Sequence, residues 1–491
     1  MSVSLEQARK YEAEASKEIS LAERPSFHIT PPVGWSNDPN GFSEYKNQYH
    51  LFYQYYPYDT EWGPMHWGHY KSEDFLKWTP LPCALAPDLA YDAGGCFSGS
   101  ALEWEGKHYL FYTSVQDISP KKSLQTQSAA CGDGVNYKKF SENPLITGKN
   151  IPEKASPYDF RDPKVWRAKG QFYAVAANRG EDGSGQILLF SSENLKDWRY
   201  ETILAQSFNQ YGKMWECPDF FSLDGHDLLL VSPQEMRAEG LDFHNGHNNI
   251  YILGRFDYET KRFERDYLAA LDYGMDFYAA QTMQSSDNRR IMIVWMGNWH
   301  NHIYPDDAVW AGAMTVPREL SIQDGRLRQK PVRELENYYR NTIRLEDVSA
   351  AEFRSFEGIR GTVFDMTLRF SPENLRHLAL KLAADDKYFT ALTYDGEKEI
   401  FTTDRGRCGM RKDLLASRSM ALEAKEDGVS IRILMDKYSI EVFCNEGEKV
   451  MTSLIAPPEA ADKILFKSDG IFDLEFHELP QNINSYEYET E

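Results

Sequence analysis

Five times along its first 300 residues the chain repeats one plan: a short polar motif, an extended run, a tight turn, then an apolar strand. The copies are NDPNGFSEYKNQYHLFYQYY (37–56), FSGSALEWEGKHYLFYTS (97–114), RDPKVWRAKGQFYAVAAN (161–178), ECPDFFSLDGHDLLLVSPQ (216–234) and YAAQTMQSSDNRRIMIVWMGN (278–298). They recur at a spacing of about 60 residues, the size of a multi-strand unit. Their turns carry Lys-Asn, Glu-Gly, Lys-Gly, Asp-Gly and Asp-Asn, pairs suited to tight hairpins. A second echo, SEDFLKW (72–78) and SENLKDW (192–198), falls two units apart. Units of this kind read as blades, so the expected fold is all-β, a five-bladed β-propeller. The competing architecture is one large sandwich with accidental similarity.

The repeat makes a mechanical prediction. If each unit opens with its innermost strand, Asp38, Ser98, Asp162, Glu216 and Tyr278 meet at one end of a central channel. Three of the five are carboxylates, a costly cluster to assemble unless it does chemistry.

Beyond residue 320 the pattern changes to short alternating segments such as TVFDMTLRFS, HLALKLAA, SIRILMD and SIEVFCNEG, separated by Asp-Gly, Asn-Glu-Gly and Pro turns. These read as a β-sandwich. The expected division is a helical extension over 1–25, with one amphipathic helix over 4–20, a propeller over 26–325, a connector with a short helix over 326–342, and the sandwich over 343–491.

Charge narrows the partners. With 54 Lys and Arg against 75 Asp and Glu the net charge is −21, which disfavours phosphate backbones and anionic lipid surfaces. Neither nucleic acid nor a membrane is expected as a partner. The N-terminal residues carry charges of both signs and no apolar core of a signal peptide, and IMIVWM (291–296) is far too short to span a bilayer. Six scattered cysteines without a C-x-x-C pair read as reduced thiols, and the expected compartment is the cytoplasm.

The carboxylates suggest glycoside hydrolysis, which needs one group to protonate the leaving oxygen and another to attack, or direct water at, the anomeric carbon. Asp38 and Asp162 each precede a proline, where an Asx turn is the plain structural reading. Glu216, flanked by Trp215, Cys217 and Pro218, sits in apolar company that favours a proton donor.

W-x-N-D-P-N-G (35–41), F-S-G-S (97–100), R-D-P-K-V (161–165) and E-C-P-D (216–219) stand in the order and spacing of the invertase, or β-fructofuranosidase, family of glycoside hydrolases. The chain resembles that family, which includes sucrose-6-phosphate hydrolases, levanases and inulinases, over its whole length. WGPMHWGHYKSEDFLKW (62–78) and WAGAMTVPREL (310–320) look like two further family segments. The resemblance implies a propeller followed by a sandwich, and a retaining enzyme working through a covalent fructosyl intermediate. It makes Asp38 the nucleophile, Glu216 the acid/base, and Asp162 the group that binds fructosyl hydroxyls and steadies the transition state. Asn37, Gln54, Ser98 and Arg161 would complete the polar shell, with Tyr278 facing it from the fifth unit. Trp35, Trp62, Phe97 and Trp310 would wall the sugar pocket.

No cofactor or metal is implied; the histidines at 66, 69, 244, 247, 300 and 302 read as loop or core residues. The substrates in contention are sucrose, sucrose 6-phosphate and short fructo-oligosaccharides. Segments 115–130 and 237–250 are candidates for the rim of the leaving-group side, with Lys121, Lys122 and Arg237 as candidate phosphate donors. From another class, a fructan-binding module without catalysis competes. The sandwich is a candidate surface for homo-oligomers.

Overall fold

The computed structural model describes residues 4–300, 308–409 and 415–488. Five sheets stand around a channel, and each is lined on the inside by the first strand of its unit: Gly34–Tyr45, Gly95–Trp104, Phe160–Ala168, Trp215–Leu223 and Tyr278–Gln284. Each inner strand lies beside the next, and the fifth returns to the first, which closes the ring. The other strands of each blade follow outward in antiparallel order. One short strand breaks that pattern. Trp310–Ala311 pairs in parallel with Gly34 and Trp35, clasping the end of the propeller onto its beginning.

The turns explain why these strands form hairpins. Lys46-Asn47, Glu105-Gly106, Lys169-Gly170 and Asp224-Gly225 all place both central residues at positive φ, the backbone twist that matches paired strands. The fifth unit differs: only Asn288 is left-handed (φ 67°), and a longer loop joins Tyr278–Gln284 to Arg290–Trp295. The second echo is a turn as well, leading into the outermost strands of blades one and three. Phe75 and Leu195 both take φ 64°, and their carbonyls accept from the indole N–H groups of Trp78 (2.7 Å) and Trp198 (3.2 Å).

The second domain is a sandwich. A six-stranded sheet contains Phe364–Phe370, Val429–Asp436 and Phe472–Glu478, and a five-stranded one contains His377–Ala384, Phe389–Asp395 and Lys463–Ser468. Leu368, Ile431, Leu380 and Phe466 fill the space between them. On the opposite face Leu434, Phe443 and Val450 join the propeller's own core.

A buried ionic network crosses that seam. Asp436 accepts from the Ser26 and Phe27 N–H groups (2.8 and 3.0 Å), and His28 bridges Asp436 and Glu441 (3.0 and 2.8 Å). Arg318 pairs with Glu441, and Arg405 with Asp276.

Two expectations about elements are corrected. The helix expected over 4–20 spans Leu5–Ala15 and then tightens into the 3-10 turn Ser16–Glu18, because its inward face is short: Ala8 and Glu12 are its buried residues. Residues 326–331, expected in the connector, form the outer strand of blade five as Arg326–Pro331. Its apolar anchor is Leu327, so the segment reads as a linker. The 3-10 helix Arg333–Tyr338 and the strand Arg340–Val348 follow at once. No disulfide joins any of the six cysteines, and among the described residues no helix is long and apolar enough to cross a membrane.

Candidate active site

Every inner strand is bulged where it meets the channel mouth. Asn37 and Asp38 together face Gln54, Asp162 and Pro163 face Ala176, and Cys217 and Pro218 face Val231. Ala279 and Ala280 face Val294 in the same way, and Ser98 is the extra residue between Phe97 and Gly99. A bulge bends its strand and re-aims side chains, which is how a ladder can present carboxylates to a cavity. The bulges also correct the alignment of the units by one residue. Asp162 (φ 62°) and Cys217 (φ 49°) are the left-handed first residues of their bulges, so Glu216 is the counterpart of Arg161, not of Asp162.

That register makes Arg161 and Glu216 neighbours. The Arg161 Nε donates to Glu216 Oε1 (2.9 Å), and the Gln234 amide and the Tyr278 hydroxyl both donate to Oε2 (2.6 Å each). Against burial, which opposes its charge, Glu216 and Asp162 raise the Arg161 pKa. Asp38 is held from three sides: the Ser98 hydroxyl reaches Oδ2 at 2.6 Å, the Cys217 thiol the same oxygen at 3.4 Å, and the Asn37 amide reaches Oδ1 at 2.9 Å. Burial raises its pKa, with the Glu216 charge adding to the rise, while Ser98 and Asn37 oppose it. Asp162 accepts the Cys217 N–H (2.9 Å) and anchors its own N–H on Thr113 (2.9 Å). Burial pushes it up to about 7, against the pull of Arg161. Cys217 therefore ties the three together: its N–H serves Asp162, its thiol Asp38, and its chain neighbour is Glu216.

The wall residues divide. The Trp35 indole donates to Asn37 (2.8 Å) and its ring stacks on Trp299 at 6.4 Å. Trp62, 48 % exposed, meets Phe97 edge-on at 5.9 Å, an aromatic rim with one face in solvent. Gln54 donates to the Cys96 carbonyl (3.0 Å) at the height of the Asn37–Asp38 bulge. Trp310 is 2 % exposed, pairs with Gly34 and has its ring 6.0 Å from Tyr438, which puts it at the seam with the sandwich.

Sequence reasoning missed Gln234, Cys217, Thr113 and Trp299. Gln234 and Trp299 each lie just after an apolar strand of a repeat, a position that could have marked them. Of the candidate phosphate donors, Lys122 rests its ammonium over the Tyr158 ring (3.7 Å), and Lys121 and Arg237 are exposed. His66 bonds the Pro64 carbonyl (2.9 Å) and His69 bonds His50 (3.0 Å); His302 lies outside the described residues. Among the described residues no group of three or more His, Cys, Asp or Glu side chains is arranged to hold a metal ion.

Comparison with known proteins matches residues 28–331 to the glycosyl hydrolases family 32 N-terminal domain and residues 327–480 to the family 32 C-terminal domain. The chain belongs to glycosyl hydrolase family 32. It is 37% identical to a sucrose-6-phosphate hydrolase of Zymomonas mobilis over 90% of this chain and 88% of that one. It is 33% identical to a levanase of Bacillus subtilis over 91% of this chain and 68% of that one. In three dimensions it resembles the family 32 β-fructofuranosidase of Bombyx mori, with a TM-score of 0.87, 33% identity and 98% of both chains covered. The same silkworm enzyme has been solved as a mutant in complex with sucrose, at the same TM-score of 0.87. Family 32 enzymes are retaining fructosidases, so this chain is an invertase-type hydrolase, and its fold is the family's propeller and sandwich.

Proposed function

We propose that this family 32 hydrolase releases β-D-fructofuranosyl units with Asp38 as nucleophile and Glu216 as acid/base, and that Asp162 holds the sugar. One observation carries the reading: Asp38 and Asp162 both bond to Cys217, the residue beside Glu216, so three carboxylates surround one small space. An Asp38 oxygen attacks the anomeric carbon as the bond to the leaving oxygen breaks, and Glu216 passes its proton to that oxygen. Glu216, now a carboxylate, then takes a proton from the water that frees fructose from Asp38. Asn37 and Ser98 orient the nucleophile; Arg161, Gln234 and Tyr278 orient the acid/base.

Sucrose, sucrose 6-phosphate and short fructo-oligosaccharides are the proposed substrates, supported by the names of the relatives. Six cysteines with no disulfide among them support a cytoplasmic setting. The structure's elements favour a division into a helical extension, a propeller ending at Pro331 and a sandwich starting at Arg340.

Incubation of the protein with sucrose tests the assignment, with glucose and fructose as the expected products. Asp38→Ala and Glu216→Ala should each cost about 10²–10⁴-fold or more in turnover. Near-normal turnover in either variant would remove that residue from its role, and no cleavage of sucrose, sucrose 6-phosphate or a short fructo-oligosaccharide by the unaltered protein would favour a binding module.

A further inference from the structure

Two histidines stand beside the acid/base and take no part in the reaction as derived. His247 lies on the loop that joins His226–Pro233 to Ile250–Asp257 in blade four. That loop is tied at its neck: the Met236 N–H donates to Gly246 O (2.7 Å) and the Asn248 N–H to Pro233 O (3.0 Å). Gln234, at its root, donates to Glu216. At the neck, between Gly246 and Asn248, the His247 ring stands edge-on to Tyr278, 5.9 Å between centroids, and Tyr278 bonds the same Glu216 oxygen. His300 lies 4.7 Å from His247. Its chain neighbour Trp299 stacks on Trp35, whose indole bonds the residue next to Asp38. The Trp299–His300 pair thus reaches from the wall behind the nucleophile to the wall behind the acid/base.

The chemistry of the pair fits a hydroxyl-rich group. His247 Nδ1 is buried without a hydrogen-bond partner, an unusual state for a ring nitrogen. Burial, with His300 beside it, holds the His247 imidazole below its ordinary range. The uncharged ring offers one donor and one acceptor, the combination a sugar hydroxyl can satisfy on both counts.

We propose that His247 and His300 form the leaving-group side of the pocket and hydrogen-bond the hydroxyls of the neutral sugar that Glu216 releases. The assignment rests on Glu216 being the acid. It makes the pair a determinant of which leaving group is accepted, and leaves the fructosyl chemistry to Asp38, Asp162 and Glu216.

Steady-state kinetics on two substrates test it: sucrose, and β-D-fructofuranosyl fluoride, whose leaving group has no hydroxyl to recognise. His247→Phe keeps a ring and loses both polar atoms. It should lower kcat/KM for sucrose about tenfold or more, because the leaving sugar loses its partner, and stay within about twofold of the unaltered enzyme on the fluoride. His247→Asn, which restores a donor and an acceptor, should regain part of the loss, and His300→Phe should act in the same direction as His247→Phe. A parallel fall on both substrates, an unchanged kcat/KM for sucrose, or an Asn variant as poor as Phe overturns the proposal. An unaltered enzyme that cleaves neither substrate defeats the reading of the site itself. One that cleaves both while His247→Phe changes nothing defeats only this inference.

Discussion

Asp162 shows what the site costs the fold. Its carboxyl is pushed up to about 7 by burial, so its charged form is disfavoured in the folded protein. A raised carboxyl pKa contributes stability that is complete below the unfolded value and is lost as pH rises through the folded one, here the window from about 4 to about 7. Asp162→Asn removes that ionisation and leaves an oxygen to accept the Cys217 N–H. Its thermal unfolding midpoint should exceed that of the unaltered protein near pH 8 and converge with it near pH 4, while turnover on sucrose falls. A variant less stable than the parent near pH 8 contradicts the account. At this scale the sequence was informative about residue types and silent about their supports. Asp38, Asp162 and Glu216 stood out because acidic residues opened repeated units. Gln234 and Tyr278, which both grip Glu216, lie 18 and 62 residues further along, and nothing local pairs them with it.

Among the elements, the repeated turns made the blades countable, because a two-residue hairpin at positive φ leaves a signature in Asn and Gly. Bulges leave a fainter one: Asp162-Pro163 and Cys217-Pro218 bulge alike, and the shared proline sets Glu216 against Arg161. The clasp Trp310–Ala311 and the outer strand Arg326–Pro331 were hidden for a related reason: one is two residues long and the other carries little apolar sequence. The N-terminal helix carries its own prediction. Glu12 is buried against the propeller, its Oε1 accepts the Cys83 N–H (2.7 Å), and burial pushes its pKa up to about 8. Its contribution is therefore lost as pH rises through about 8. Glu12→Gln keeps the acceptor and removes the charge, so amide hydrogen exchange in Leu5–Ala15 should become independent of ionisation there. After correction for the intrinsic rate, the parent helix should exchange faster above pH 8 and the variant should not. Equal pH dependence in both would show that Glu12 does not control docking.

For the whole molecule, the seam is the least legible feature and the most consequential. His28 meets Asp436 across more than four hundred residues, and Arg318 meets Glu441 from the other side, all four fully buried. Arg318 also reaches Asp272 (3.5 Å), so Arg318→Met would leave Asp272 buried without its cation and Glu441 with His28 alone, which should cost about 3–5 kcal/mol in denaturant unfolding. A loss under about 1 kcal/mol would mean that the network does not hold the domains together. Paired with two carboxylates, His28 is raised to about 9 against the effect of burial. Its share of stability is complete below about pH 6.5 and lost as pH passes about 9, so the seam should loosen on the alkaline side. The domain pair was foreseeable from the change of pattern after residue 320; its charged contact was not, because each partner alone reads as an ordinary surface residue.

The division of labour between Asp38 and Glu216 is most directly tested by trapping. Glu216→Gln, given β-D-fructofuranosyl fluoride, needs no acid to expel fluoride but lacks the base that admits water. Peptide mass spectrometry after a rapid quench should find one fructosyl unit on the peptide that contains Asp38. A variant that turns over without any adduct, or that carries the sugar on another residue, would contradict the assignment.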